Sequence, residues 1–251
     1  VMSYSESHKK PGKGVSYQDS FESQKYRKMI WTLEKKYLKK ILTENFKNEK
    51  IIHLDFACGT GRVLKFLEDQ TTSSIGIDVS NEMICVARNT VHSQIIEGDV
   101  TKKNLLNDKK FNLVTAFRFF PNAEENLRKG VLDNIVPHIV DNGFLVFNNH
   151  RNKDSFLERV IRVIFRKQYR GMNFKEVELM VKGYDLDLVG IYSMGLLRDS
   201  FKKNIPVGFL YNIELLLGRF DQFRGYGYNQ IYVFKKNLKK NEVEAKITAV
   251  K

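Results

Sequence analysis

Two spacings of hydrophobic residues follow one another along the chain and predict its fold. Between about residues 17 and 42, apolar side chains recur at the three- and four-residue spacing of one helix face. From residue 51 onward, short apolar runs alternate with longer amphipathic stretches. The runs are IIHLDF (51–56), SIGIDV (74–79), SQIIEG (93–98), FNLVTAF (111–117) and GFLVFNN (143–149). Strands that alternate with helices predict βαβ units and a parallel sheet with helices on both faces.

The amphipathic stretches between the runs predict helices at 61–69, 81–90 and 124–140. Gly143 directly precedes the last run, and glycine is the residue type expected just beyond a helix C-terminus. We therefore expect the 124–140 helix to end before Gly143 and the fifth strand to begin there.

The pattern is less regular after residue 150. The sequence predicts a basic amphipathic helix at 155–170, a helix followed by a strand near 187–194, a helix after Pro206, and a final alternating strand at 228–236. The polar ends at 1–16 and 237–251 are expected to be flexible. The predicted single domain spans 17–236. Its parts are a helical segment at 17–50, a core at 51–150, and further helices with an insertion at 151–227.

Composition narrows the class of protein. A chain of 251 residues with 42% hydrophobic content suits one α/β domain. No apolar run approaches the roughly 20 residues of a membrane-spanning helix, and no signal-peptide pattern is present. Cys58 and Cys85 suggest neither a disulfide framework nor a metal site, and both are predicted to be packing residues. With no disulfide framework expected, the protein is predicted to be cytoplasmic.

The net charge of +13 leaves several partners open. Part of it lies in the two polar ends and part in the basic helix at 155–170. Such charge suits a phosphate-bearing small molecule, a nucleic acid or peripheral contact with a membrane surface, but it requires none of them.

The turn CGTG at 58–61 follows the first apolar run. It lies at the carboxyl end of a predicted parallel strand, where α/β sheets bind ligands. Gly59 and Gly61 let the backbone approach a ligand with no Cβ in the way, and the helix that follows presents free N–H groups. Leu64 stands where a dinucleotide-binding GxGxxG motif has its third glycine, which makes a dinucleotide a poor ligand.

Acidic residues at the ends of the first three strands indicate which cofactor binds. Asp78 can accept hydrogen bonds from both ribose hydroxyls of an adenosine. Asp99 is placed to accept from an adenine amino group, while the N–H of Val100 can donate to the ring. Asp55 precedes the glycine turn, where a carboxylate can bind a cationic amino group. An adenosine with an ammonium group nearby describes S-adenosylmethionine.

At this point the sequence resembles the class I methyltransferases that use S-adenosylmethionine. Over roughly residues 51–150, four segments stand in the family's order and spacing: LDFACGTGR, GIDVS, EGDV and FNLVTAF. Ala57 stands where many members have glycine and remains small. The resemblance places Ala57 and Val79 in the cofactor site. The sequence also resembles, more loosely, the small-molecule methyltransferases of sugar and natural-product pathways.

The resemblance also implies the fold. This is a Rossmann-like, seven-stranded, mostly parallel sheet whose last strand is antiparallel, with an N-terminal helical lid and an insertion between strands six and seven. In similar enzymes the lid covers the cofactor. Tyr17 and Arg27 are therefore predicted cofactor contacts, with Phe21 and Tyr26 in the same segment.

His150 is the candidate catalytic base, because it follows the fifth strand at the edge that carries the cofactor turns. Asn148 and Asn149 are candidates for orienting an acceptor. Phe117 can pack against the sulfonium or the adenine, and Arg118 can reach the methionine carboxylate or an acidic acceptor. For each of them, ordinary packing or surface exposure is the alternative.

Three functions remain open from the sequence. The first is methyl transfer to a small molecule, at a hydroxyl of a sugar or another metabolite. The second is methylation of RNA or protein, which the basic charge favours. Against it, the segment after the fourth strand reads FRFFPN and lacks the Asn/Asp-Pro-Pro-aromatic motif of many base N-methylases. The third is a cofactor-binding protein without catalysis, or a nucleotide-binding dehydrogenase.

Overall fold

The computed structural model describes residues 23–47, 49–155, 158, 171–196, 206–218 and 225–238. The expected flexible N-terminus, with Tyr17 and Phe21 just beyond it, lies outside these residues. So do the predicted basic helix, apart from Ser155 and Glu158, and the C-terminal tail beyond residue 238.

Seven strands form one sheet. They are β1 (Ile52–Phe56), β2 (Ser73–Asp78), β3 (Gln94–Glu97), β4 (Phe111–Ala116), β5 (Ile139–Asn149), β6 (Leu186–Met194) and β7 (Asn229–Lys236). Their order is β3-β2-β1-β4-β5-β7-β6. Each neighbouring pair from β3 through β5 is parallel, and β7 is antiparallel to both β5 and β6. The predicted mostly parallel sheet with an antiparallel last strand is confirmed.

Helices connect the strands and cover the sheet. They are α1 (Lys25–Asn45), α2 (Arg62–Leu67), α3 (Asn81–Arg88), α4 (Glu125–Ile135), α5 (Phe174–Val181) and α6 (Val207–Leu217). The apolar stripe predicted near the N-terminus is the buried face of α1. The helix expected after Pro206 is α6, which begins at the next residue.

The predicted helix at 124–140 is too long, and the role given to Gly143 is wrong. α4 ends at Ile135, and a short 3₁₀ turn that contains Pro137 follows it. Ile139 then pairs with Phe111, so β5 begins four residues before Gly143. The β4–β5 register shifts between Phe111 and Leu113. A Cβ at Gly143 would lie 3.2 Å from Asn112 Cα and 2.8 Å from a side-chain carbon of Ile139. Gly143 therefore permits a close approach inside a strand instead of ending a helix.

Hydrophobic clusters lie on both faces of the sheet. One includes Leu54, Val114 and Leu132 of α4, and the other includes Leu33 of α1 and Leu113. Because the central strands are buried on both faces, they read as nearly continuous apolar runs. Within the described residues, no helix combines the length and apolar character needed to cross a membrane.

Candidate functional site

A cavity of about 290 Å³ opens at the carboxyl ends of β1, β2 and β4. The chain builds β1, β2 and β3 toward one side of the sheet and then crosses to β4 on the other side of β1. Such a reversal leaves a crevice in which α/β proteins bind ligands. The predicted site residues that line the cavity are Arg27, Asp55, Ala57, Gly59, Asp78, Val79, Asp99, Val100, Phe117 and His150.

The turn between β1 and α2 forms one wall of this cavity. Gly59 (φ +55°) and Gly61 (φ +78°) both have left-handed backbone conformations. An added Cβ at Gly59 would meet nothing within 4 Å, because it would stand in the open cavity. At Gly61 it would lie 2.9 Å from Val91 and 3.2 Å from Ala87 of α3. Gly61 therefore allows close packing in the turn, and it does not line the cavity, so its contact with the cofactor stays a prediction.

Asp78 ends β2 and joins that strand to the turn. One carboxylate oxygen accepts from Gly59 N at 2.8 Å and the other from Ser80 N at 2.9 Å. Burial raises the pKa of Asp78, while backbone donors, including Ser80 and Gly59, lower it in part. The carboxylate therefore fixes the conformation of the turn and faces the cavity at the same time.

Asp55 ends a buried chain of hydrogen bonds. Thr115 Oγ1 donates to Asp55 Oδ1 at 2.6 Å, and His53 Nε2 lies 2.8 Å from Thr115 Oγ1. Since that hydroxyl donates to Asp55, it accepts from His53 Nε2–H. The other ring nitrogen of His53 then accepts from Ser74, 3.2 Å away. Asp55 Oδ2 is buried and has no hydrogen-bond partner among the described residues.

Burial shifts the pKa values of both titratable groups in this hydrogen-bonded chain, Asp55 and His53. Burial raises the pKa of Asp55 to about 7, against the hydrogen bond from Thr115 and the charge of Arg62. Burial also lowers the pKa of His53 to about 3. A carboxylate with an unused oxygen, held this way at a cavity wall, is suited to a cationic ligand.

Asp99 follows β3 at the far end of the cavity. Burial raises its pKa, but hydrogen bonds from Thr101 and the charge of Lys102 lower it more, so the net shift is downward. Asp99 therefore stays ionised as an acceptor. The adjacent Val100 is buried and also lines the cavity.

His150 directly follows β5 and is only 8% exposed. Its Nδ1 is buried with no hydrogen-bond partner among the described residues. Burial, followed by the charges of Arg118, Arg151, Arg27 and Arg62, lowers the pKa of His150 well below its usual range. The imidazole is therefore neutral at physiological pH.

A buried ion pair that the sequence reading missed holds this region together. Glu34 of α1, fully buried, accepts from Arg62 at 3.0 Å and from Asn148 Nδ2 at 2.8 Å. The guanidinium of Arg62 also lies 4.0 Å from the ring centroid of Trp31. Asn148 Oδ1 accepts from Arg118 N at 2.6 Å. Asn148 thus fixes protein groups and does not line the cavity.

The other candidates divide between the cavity and the core. Phe119 lines the cavity, whereas Phe120 is fully buried in the core. Asn149 donates to Met172 O at 2.8 Å and does not line the cavity. Tyr26 does not line it either.

Cys58 is buried in the turn and Cys85 is exposed. No group of three or more His, Cys, Asp or Glu side chains in the described part of the chain could hold a metal ion.

Two sequence signals pointed to the residues that were missed. Glu34 interrupts the apolar stripe of α1 four residues after Ile30 and four before Leu38. An acid at such a position implies a buried partner. Arg62 and Arg151 directly follow the glycine turn and His150, respectively, and both line the cavity.

Comparison with known proteins agrees with this geometry. Residues 54–143 match the family model described as a methyltransferase domain. These residues therefore carry a methyltransferase domain. The predicted family, fold class and enzyme class are thereby confirmed, and with them S-adenosylmethionine as the cofactor of the family. A search of curated protein sequences finds no significant match.

Solved structures extend the likeness beyond the matched segment. An S-adenosylmethionine-dependent methyltransferase from Clostridium acetobutylicum has a TM-score of 0.60 at 13% identity, covering 89% of this chain and 99% of that one. One from Archaeoglobus fulgidus has a TM-score of 0.60 at 15% identity, with 88% and 99% covered. The plantazolicin methyltransferase BpumL, bound to S-adenosylhomocysteine, has a TM-score of 0.58 at 16% identity, with 89% of both chains covered. At these low sequence identities, the likeness is evidence about the fold alone.

The two glycines of the turn should separate binding from stability. We expect Gly59→Ala to weaken S-adenosylhomocysteine binding at least tenfold, because its Cβ would enter the cavity, at a cost in stability of about 1–2 kcal/mol. Gly61→Ala combines the same backbone cost with a clash against α3, and should lower the melting temperature further. Calorimetric titration and thermal unfolding of both variants test this. Equal melting temperatures with equal affinities would contradict it.

Proposed function

We propose that the methyltransferase transfers the methyl group of S-adenosylmethionine to a hydroxyl of a small-molecule acceptor, such as a sugar or another metabolite. His150 is the proposed general base. The observation that carries this proposal is the buried Nδ1 of His150, which has no partner among the described residues and shares one cavity with Asp55, Asp78 and Asp99.

The residues present fit the cofactor. Asp78 and Asp99 are acceptors for its ribose and adenine, Val79 and Val100 supply apolar walls, and the unused Asp55 Oδ2 suits its ammonium group. The space beside Gly59 leaves room for its close approach.

The methionine end of the cofactor has its own proposed contacts. Ala57, Phe117 and Arg27 line the same cavity, and the guanidinium of Arg27 suits the methionine carboxylate. Tyr17 remains a predicted contact that lies outside the described residues. When bound, S-adenosylmethionine supplies an electrophilic methyl group on a sulfonium.

The chain's contribution to transfer is to position the acceptor, exclude water and remove a proton. A neutral His150 can accept the hydroxyl proton at Nδ1 while the acceptor oxygen gains the methyl group. The cavity walls hold the acceptor in line, and orientation of this kind supplies much of the rate. Since the base is 8% exposed, an acceptor small enough to enter the cavity suits it better than a polymer surface. The BpumL enzyme, whose fold is similar, is named as a methyltransferase of plantazolicin.

Asp78 should be required for cofactor binding. We expect S-adenosylhomocysteine to bind with a micromolar dissociation constant and NAD not to bind. Asp78→Ala should lose roughly a hundredfold in affinity, because two hydrogen bonds to a charged acceptor disappear. Calorimetry on the full chain measures this, with the exposed Asp133→Asn as the charge-matched control. If wild-type protein and Asp78→Ala bound equally, the adenosine site would be misplaced.

Asp55 should make cofactor affinity depend on pH. Its pKa is about 7 in the free protein. A bound cation favours the carboxylate, so binding below pH 7 releases a proton and affinity should rise with pH. We expect the affinity for S-adenosylhomocysteine to rise about tenfold between about pH 5.5 and 7 and to level off near about pH 8. In Asp55→Asn this rise should be lost. Affinity of the wild type that stayed constant over that range would exclude a cationic contact at Asp55.

His150 should matter for transfer and not for cofactor binding. We expect His150→Gln to lower the turnover number at least a hundredfold, with S-adenosylhomocysteine affinity changed less than twofold. The exposed His92→Gln is the matched control. Labelled S-adenosylmethionine offered with sugars, nucleotide sugars and RNA identifies the acceptor for the assay. Labelling of RNA alone would overturn the small-molecule proposal.

A further inference from the structure

Helix α6 buries its charged residue and exposes apolar ones. Glu214 is the single charged side chain of VGFLYNIELLL, and it is only 1% exposed. Its carboxylate accepts from the backbone N–H groups of Gly195 at 2.8 Å and Leu196 at 3.1 Å, just beyond β6. Phe209 and Leu216, by contrast, are 60% and 53% exposed. A surface helix in water has the opposite arrangement, with its charges outward.

The exposed apolar side chains of α6 form one row along the helix. Phe209 and Leu216 are seven residues apart, which is two helical turns, so they lie on the same side. Ile213, between them, is partly exposed. The buried Leu210 and Glu214 lie on the other side. Large exposed apolar side chains that are grouped in this way mark a surface that contacts another apolar body.

Helix α1 supplies positive charge beside this row. A groove of about 490 Å³ separates the two helices, with Lys25 and Lys28 of α1 on one side and Val207 and Tyr211 of α6 on the other. Both lysines are exposed. The ammonium groups therefore border the apolar helix directly.

Acidic side chains are scarce on the same pair of helices. The sequence of α1, KYRKMIWTLEKKYLKKILTEN, contains six lysines and two glutamates. Glu34 is buried, and Glu44 lies in the last turn. Since Glu214 of α6 is buried as well, the exposed surface near the groove is basic. An apolar row with a basic border is complementary to a surface that is apolar inside and anionic outside.

We propose that α6 and the neighbouring lysines of α1 form a docking surface for an anionic lipid bilayer. Phe209 and Leu216 would enter the boundary between headgroups and acyl chains, and Lys25 and Lys28 would bind lipid phosphates. With 11 residues, α6 is about 16 Å long, so it lies in the plane of the interface and does not cross the bilayer.

The charge of the surface favours lipid over a second copy of the chain. Two copies that paired their α6 rows would bring the lysines of both α1 helices together, and like charges repel. An anionic bilayer offers apolar surface and counter-charge at the same time.

The position of α6 in the fold relates docking to the cavity. Strand β7 is antiparallel to both β5 and β6, so the carboxyl ends of β5 and β6 lie at the same edge of the sheet. The segment that carries α6 leaves β6 at that edge, where the cavity also opens. Docking through α6 would bring this edge toward the bilayer. The inference does not depend on the proposed acceptor.

Vesicle co-sedimentation of the full chain tests the surface. We expect binding to phosphatidylcholine vesicles with about 30% phosphatidylserine, and at least tenfold weaker binding to pure phosphatidylcholine. Phe209→Ser and Leu216→Ser should each weaken binding about tenfold, because an apolar anchor is lost. Leu179→Ser is the matched control, since Leu179 is 58% exposed on α5, and it should bind like the wild type.

Charge variants test the basic border. The double variant Lys25→Gln, Lys28→Gln should bind the anionic vesicles about tenfold more weakly, whereas the exposed Lys175→Gln should not. Affinity for S-adenosylhomocysteine should stay within twofold of the wild type in all of these variants, which shows that they are folded. Loss of that binding in the wild type would bear on the proposed function and not on this surface.

Three results would overturn the inference. One is the absence of binding to anionic vesicles. Another is binding that Phe209→Ser and Leu216→Ser leave unchanged, because the basic charge elsewhere in the chain would then account for it. The third is self-association, measured by light scattering, that the same two variants abolish, since α6 would then be an interface between copies.

Discussion

The buried carboxylate of Glu34 is the interaction on which the site depends. It joins α1 to Arg62 at the start of α2 and to Asn148 near the end of β5, and through Asn148 it reaches the backbone of Arg118. Loss of one partner would leave a buried charge uncompensated, at a cost of about 3–5 kcal/mol. The helix that precedes the sheet is therefore part of the cavity's construction, because it fixes the three segments that bring arginines to His150.

Acidic and basic side chains that line the cavity follow different strands of the sheet. The acids Asp55, Asp78 and Asp99 belong to β1, β2 and β3, whereas Arg118 and Arg151 follow β4 and β5. The division follows from topology, since the chain reverses its direction of travel across the sheet between β3 and β4. One reversal thus brings acidic side chains from one half of the sheet and basic side chains from the other half to the same cavity.

The sequence was enough to place the residues that line the cavity at the ends of β1 and β2, but not the contacts of Glu34. Asp78 and Gly59 stand in local motifs whose position at strand ends follows from alternating strands and helices. Glu34 contacts Asn148 across 114 positions of sequence, and no local pattern specifies such a contact. Gly143 was misplaced because a glycine after a helical pattern reads as a helix end. Only the pairing of Ile139 with Phe111 shows that β5 had already begun.

The hydrogen bonds that link His53 through Thr115 to Asp55 affect where protons are bound before and after folding. Between about pH 4 and pH 6.5 an unfolded chain keeps a proton on the imidazole and none on the carboxyl, given ordinary pKa values of 6.5 and 3.8. With folded pKa values of about 3 and about 7, the native protein reverses this distribution. Folding thus relocates one proton without net uptake or release. The opposite contributions of His53 and Asp55 to the pH dependence of the unfolding free energy cancel over this range. Acidification can therefore protonate Asp55, the proposed contact of the cofactor's ammonium group, without a loss of stability from this pair.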